Sequence, residues 1–400
     1  MKAGARRGLL KILVAVALLA WVASRLPWSD RLAYVADPGR PEAAAEVEGR
    51  IVGGWREERV GFELADDATS GSDWPEQARR AAGAGEALDV TRRAEEEAGF
   101  EWRPGMPRVF LDLEPLGLLG AFAGLLLGLA FGVTRWWRIL HLAGCRSSWW
   151  NTLRLSSLGL FFNLVLPGIT GGDLPKALLV VRENPDRRAD ALATVVIDRL
   201  VGLWSLVCIA SVVIWWTGGD FGPLRLPVAG AFALLSLGLV FVIAPGPRRA
   251  LKIDRLLERL PQAERLGKLE RAVLLYRGRP GELGLSVLFS FGNHLSVIAA
   301  TYAIGVAFGT QLGVGEFVGI VSVANLVSSL PLSPGGWGVG EAAFGTLFAM
   351  MGSVAALGVA VSVTYRLCTV ALGLAGGLFL LVPGATPVRE LLEEEAAAAD

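Results

Sequence analysis

The chain reads as an all-α polytopic membrane protein of about six transmembrane helices plus two oppositely oriented re-entrant hairpins, with a small extracytoplasmic β-containing insert. Three observations predict this. The 400 residues are 53% hydrophobic and only 19% charged, with mean hydropathy +0.49, outside the balance of most soluble domains. Several apolar runs approach the roughly 20 residues that cross about 30 Å of hydrocarbon. Two further apolar regions, 151–181 and 315–352, are interrupted by proline, glycine and an acid.

The basic start "MKAGARRGLLK" leads into an apolar run from Leu9 to Leu26. A cleaved signal peptide would look similar, but a retained first helix (residues 1–26) is preferred. The next segment, Pro27 to Pro107, then lies outside the cytoplasm. It holds 18 Asp/Glu against 10 Arg, a net of −8. "GRIVGGWREERVGFEL" has the glycine punctuation and β-favouring residues of a hairpin. "PEQARRAAGAGEALDVTRRAEEEAG" reads as one or two weak helices or a flexible arm. Nothing in this insert (27–107) suggests chemistry.

The second span runs from about Pro115 to Thr134 and ends at "RWWR", the tryptophan-plus-arginine signature of a cytoplasmic interface. "RENPDRRAD" reads as cytoplasmic too. Ala191 to Trp216 crosses outward and Leu226 to Ala244 returns. A basic cluster from Arg248 to Arg279, with ten Lys/Arg, reads as an interfacial amphipathic helix or a solvated loop helix. Leu283 to Phe308 crosses outward again, and Ala355 to Val382 brings the chain back. Both termini are then cytoplasmic, in the plasma membrane, with a membrane domain at 108–383 and a tail at 384–400.

The regions 151–181 and 315–352 each begin and end on one side, so each must turn back within the bilayer. The first contains Asn163, Pro167, Gly171, Gly172 and Asp173. The second contains Asn325, Pro331, Pro334, Gly335 and Gly336, then "WGVGE" to Glu341. An arginine follows each acid inside the next apolar helix, Arg199 after 26 residues and Arg366 after 25. Similar broken elements of opposite orientation mark an inverted repeat and point to a central binding site. Irregular backbone at that depth must line protein or water. A half-helix starting near Asp173 or Glu341 offers free N–H groups to an anion.

An arginine in mid-membrane costs about 2.5–3.5 kcal/mol on insertion scales. One reading pairs Arg199 with Asp173 or Asp198, and Arg366 with Glu341, as hairpin locks. The other has both guanidinium groups engage a headgroup phosphate, whose geometry they match. Asn163 and Asn325 read chiefly as partners for freed backbone groups. Lys176 either snorkels to the interface or adds a phosphate contact. No metal or cofactor is expected. Cys145, Cys208 and Cys368 form no CxxC pair, and His141 and His294 are the two histidines. His294, beside Asn293, suits an interhelical hydrogen bond. No block of basic and aromatic residues suggests nucleic acid.

The stretches "FNLVLPGITGGDLPKALLV", "VVIDRLVGL", "LPLSPGGWGVGEAAF" and "YRL", in this order, resemble the membrane region of lysylphosphatidylglycerol synthetases. Stand-alone bacterial and archaeal relatives are called flippase-like membrane proteins. The resemblance covers roughly residues 110–383 plus the first helix. It implies movement of a lipid between leaflets. In bifunctional relatives the region is assigned to moving aminoacylated phosphatidylglycerol, and a soluble aminoacyltransferase domain follows the last helix. The tail "TPVRELLEEEAAAAD" is too short for that domain, so aminoacylation of lipid is not expected. The large insert departs from the family pattern.

The expected function is therefore a flippase-like transporter of an anionic phospholipid or lipid-linked glycan, its headgroup held near Arg199, Arg366 and the hairpin turns. No GxxxxGK[ST] motif is present, so uphill movement would need an ion gradient or a partner. One alternative is an enzyme of polyprenyl-phosphate-linked glycosylation, since some relatives are linked to that chemistry; the sequence holds no DxD and no histidine cluster. Another is an accessory scaffold for a membrane glycosyltransferase or lipid synthase.

Overall fold

The computed structural model describes residues 20, 24, 28–37, 45–64, 74–93, 97–111, 114–165, 173–217, 221–243, 279–329, 333 and 336–381. Most of the expected first helix lies outside the described residues, as do Pro167, Gly171, Gly172, Pro331, Pro334 and Gly335, the basic cluster up to 278 and the tail 384–400.

The insert is a five-stranded antiparallel sheet of β1 (Asp30–Val35), β2 (Ala45–Val52), β3 (Arg59–Leu64), β4 (Leu88–Thr91) and β5 (Gly99–Arg103), in the order β4-β3-β2-β1-β5. The expected hairpin is present as β2 and β3, with Gly49 opposite Leu64 and Val52 opposite Gly61. Helix α1 (Glu76–Ala84) accounts for one half of the segment read as weak helices or an arm. Strand β4 lies in the other half. In "LDVT", Leu88 and Val90 are buried while Asp89 and Thr91 are exposed, a two-residue period too short to stand out in sequence.

Asp30 ties the insert together. Its buried carboxylate accepts from the Ile51 amide at 2.9 Å, the Gly105 amide at 2.8 Å and Arg108 Nε at 2.8 Å. The short helix α2 (Met106–Leu111), which carries Arg108, leads into the membrane domain. The insert's core of Leu32, Phe62, Trp55 and Trp102 continues into Phe308, Phe317 and Leu357 of the helical region. Arg56 completes the dock: its Nη2 donates to the Ala307 carbonyl at 2.9 Å and its Nη1 pairs with Glu114 at 3.4 Å.

The helical region comprises α3 (Pro115–Leu142), α4 (Trp149–Val165), α5 (Asp173–Glu183), α6 (Arg188–Thr217), α7 (Gly222–Ile243), α8 (Pro280–Ala307), α9 (Val314–Ser328), α10 (Val339–Met350) and α11 (Ala355–Gly377). Five helices among the described residues are long and apolar enough to cross a membrane: α3, α6 with its preceding turn, α7, α8 and α11 with its following turn. This is a mostly helical membrane protein. On α7, Leu226, Leu234 and Leu237 are exposed at 80%, 73% and 56%, as acyl chains require.

Helices α3 and α8 pack most extensively. Gly124 explains how they approach: a Cβ there would lie 2.9 Å from both the Ala300 methyl and the Ser296 carbonyl. Small residues bring apolar helices together where no hydrophobic drive separates them from lipid. His294 Nε2 donates to the Gly202 carbonyl at 2.9 Å, the expected interhelical bond between α8 and α6.

One boundary is corrected. The second span does not end at Thr134; α3 continues through "RWWR" to Leu142. Arg135 and Trp136 are 7% and 0% exposed, whereas Trp137 and Arg138 lie nearer the surface. Four consecutive residues cover more than a full turn, so one run supplies both an interior pair and a boundary pair.

The two interrupted regions are each split into short helices. α9 and α10, with 15 and 12 residues, reach only about 22 Å and 18 Å at 1.5 Å per residue. Neither spans hydrocarbon about 30 Å thick. α4 and α5 likewise stand on either side of residues 166–172.

Candidate functional site

Two charged clusters occupy the helical region, one at each interrupted segment. The first surrounds Asp198 on α6. Its carboxylate is buried, with Oδ1 2.8 Å from Arg135 Nε and Oδ2 3.3 Å from Lys176 Nζ. Arg135 also donates through Nη1 to Ser290 Oγ at 2.5 Å. Lys176 sits 3.7 Å above the Trp136 ring, a cation–π contact strengthened by exclusion of water. Trp136 is itself oriented by an Nε1 bond to Thr194 Oγ1 at 3.1 Å. α3, α5, α6 and α8 therefore converge on one carboxylate. The sequence offered Arg199 either Asp173 or Asp198; Asp198 takes Arg135, read in sequence as an interface marker, and Lys176 as its ion-pair partners. Successive residues on a helix point about 100° apart, so Asp198 turns inward while Arg199 is exposed.

A cavity of about 240 Å³ opens beside this cluster, lined by Arg135, Lys176, Asp198, Arg199, Asn163 and Asn293 together with apolar residues such as Leu129 and Leu160. Among the described residues, Arg135, Lys176 and Arg199 line it together with the carboxylate of Asp198. Asn293 lies midway along the 28-residue α8, about 20 Å from either end. Charged groups so deep in an apolar domain are costly unless partners or water compensate them. Asp173 begins α5, as the sequence suggested; its side chain lies outside the described residues.

The second cluster is organised differently. Arg366 on α11 places Nε 2.5 Å from Oε1 of Glu341, which is 1% exposed. The other carboxylate oxygen of Glu341 accepts the Gly338 amide at 2.6 Å, capping its own helix. Arg366 Nη2 donates to the Gly336 carbonyl at 2.6 Å, and its guanidinium lies 5.1 Å from the Trp337 ring centre. Gly336 and Gly338 have φ of +71° and +79°, a region open to glycine. The sequence reading named Gly336 but passed over Gly338 and Gly340. At Gly340 a Cβ would overlap Arg366 Nη2 and crowd Ser328 Oγ. The signal was the "GVG" spacing just ahead of Glu341.

The expected lock between Glu341 and Arg366 is thus present. The expected anion seat at the start of that helix is taken by the helix's own glutamate. Neither Arg366, Glu341 nor Gly336 lines the 240 Å³ cavity, and Asn325 does not line it either. Of the expected site residues, the structure gathers Lys176, Arg199 and Asn163, and adds Arg135, Asp198 and Asn293. Gly171, Gly172 and Gly335 fall outside the described residues.

The sequence model of the lysylphosphatidylglycerol synthase TM region matches residues 105–377, which is the helical region just described. The chain belongs to that family. No curated protein and no solved structure matches it.

Proposed function

We propose that this member of the lysylphosphatidylglycerol synthase membrane-region family is a flippase-like transporter that moves an anionic phospholipid or lipid-linked glycan between leaflets of the plasma membrane. One observation carries the reading: a polar cavity midway along membrane-length helices, where Arg135, Lys176 and Arg199 stand beside Asp198, Asn163 and Asn293. Such a site suits a phosphate diester, whose oxygens accept from guanidinium and ammonium donors together. Its volume of about 240 Å³ fits a headgroup fragment and not a whole lipid. The chains would stay in the bilayer beside Leu129 and Leu160.

On this reading Arg199 is the mobile ligand contact, while Asp198 keeps Arg135 and Lys176 in place. The short helix pairs α4–α5 and α9–α10 serve as re-entrant hairpins of an inverted repeat, and rocking of one against the other exposes the cavity to alternate sides. The chain acts as a transporter and not as an enzyme, with the lipid as its partner.

The test is movement of fluorescent anionic lipid in vesicles holding the purified chain. Arg199→Gln should slow it about ten-fold or more, the effect of losing one charged hydrogen bond. A neutral or zwitterionic lipid should respond little. Equal rates for wild type and Arg199→Gln, or equal rates for all headgroups, would refute the proposal.

A further inference from the structure

A second cavity, of about 520 Å³, lies where the sheet meets the helical region. It is larger than the first and within the range of about 300–1,000 Å³ that small-ligand sites occupy. The insert is acidic overall, 18 Asp/Glu against 10 Arg. Yet four of its arginines, Arg56, Arg92, Arg93 and Arg103, line this cavity, faced by Glu101 and Glu316. Both carboxylates are already engaged. Glu101 pairs with Arg93 at 3.4 Å and with Arg103 at 3.7 Å, and Glu316 accepts the Gly313 amide at 2.7 Å.

Arg92 is different. It is exposed, lies 4.6 Å over the ring of Trp102 and donates to the Trp55 carbonyl at 3.4 Å, but meets no carboxylate among the described residues. The wall behind it contains Trp55, only 6% exposed, with the Arg56 guanidinium 5.3 Å from its ring centre. Gly309 leaves room for Arg56 at the cavity edge, since a Cβ there would lie 2.5 Å from Arg56 Nε.

We infer that this cavity is a second anion site, which takes a phosphate-bearing polar group on the insert side of the membrane domain. Arg92 supplies the charge that no carboxylate among the described residues meets. If the transport reading holds, the group is the headgroup of the carried lipid; the binding itself does not depend on that reading.

Calorimetric titration of the detergent-purified full chain tests it, with inorganic phosphate, glycerol phosphate and dihexanoyl phosphatidylglycerol as probes. Wild type should bind at least one probe saturably. Arg92→Gln, at an exposed position, should weaken that binding about ten-fold or more, and Arg92→Lys, which keeps the charge, should weaken it less. In an Arg199→Gln background, which weakens binding at the transport cavity, the Arg92-dependent binding should persist, and this separates the two sites. Stronger binding of glycerol phosphate or the short-chain lipid supports a headgroup as ligand. Equal binding of inorganic phosphate supports the same site with free phosphate as its source. No saturable binding, binding indifferent to Arg92→Gln, or no Arg92-dependent binding in the Arg199→Gln background would overturn the inference.

Discussion

Glu341 touches two things at once: the guanidinium of Arg366, with Nε 2.5 Å away, and the amide of Gly338 at the start of its own helix, 2.6 Å away. With the carboxylate 1% exposed, each charge is the other's main compensation. Glu341→Gln or Arg366→Met alone should cost on the order of 3–5 kcal/mol, since either leaves a buried charge unpaired. The double variant should cost clearly less than the two single losses combined. Thermal unfolding in detergent measures all three; simple additivity would show that the pair is not a lock.

Gly340 should be intolerant for a related reason. Ala there meets Arg366 Nη2 and Ser328 Oγ, and overpacking of this kind costs about 1–3 kcal/mol. Gly230→Ala on α7 is the control, because a Cβ there has nothing within 4 Å. It should be neutral or stabilising by up to about 1 kcal/mol. If both variants melt alike, the packing argument fails.

Asp198 and Arg199 are neighbours in sequence with opposite expected phenotypes. Asp198→Asn should lower the melting temperature, because Arg135 and Lys176 lose their shared counter-charge. Arg199→Gln, at an exposed position lining the cavity, should lower melting clearly less than Asp198→Asn. Its larger defect should appear in lipid movement. A stability loss at Arg199 equal to that at Asp198 would assign both residues to the scaffold.

Asp30 predicts how the insert fails. Asp30→Ala removes the acceptor for two amides and Arg108, and buried donors left unpaired cost about 1–3 kcal/mol each. Hydrogen exchange should rise in β1, β2 and α2, with α6 and α8 unaffected. Uniform loss of protection across the chain would show that insert and helices unfold as one unit.

Cys145 lies between α3 and α4. Burial, and secondarily Asp190, push its thiol above the ordinary range, with Arg187 opposing. A raised folded-state value keeps the thiol protonated, and the thiolate is the reactive form. Maleimide should therefore label Cys145 more slowly than a free thiol at pH 8, and the gap should close as pH rises or the chain unfolds. Rapid labelling of the folded protein at pH 8 would contradict the buried placement.

Composition and run length alone were enough to declare a helical membrane protein, because lipid admits few other spanning structures and each span needs its full apolar length. The broken segments at 151–181 and 315–352, the β2–β3 hairpin and the Glu341–Arg366 pair were legible as well. Each depends on local chemistry: helix breakers, glycine punctuation, or an acid and a base that lipid forbids to stay apart.

Tertiary structure alone decided which charges share a cavity. Asp198 belongs to Arg135, 63 residues away, and Lys176 to Trp136, because helix packing sets distances that sequence separation does not encode. The same holds for the four arginines that the folded sheet turns toward the helices, within an insert whose composition suggested only an acidic module. A linear pattern reports which groups must be compensated; only the packed chain specifies by whom.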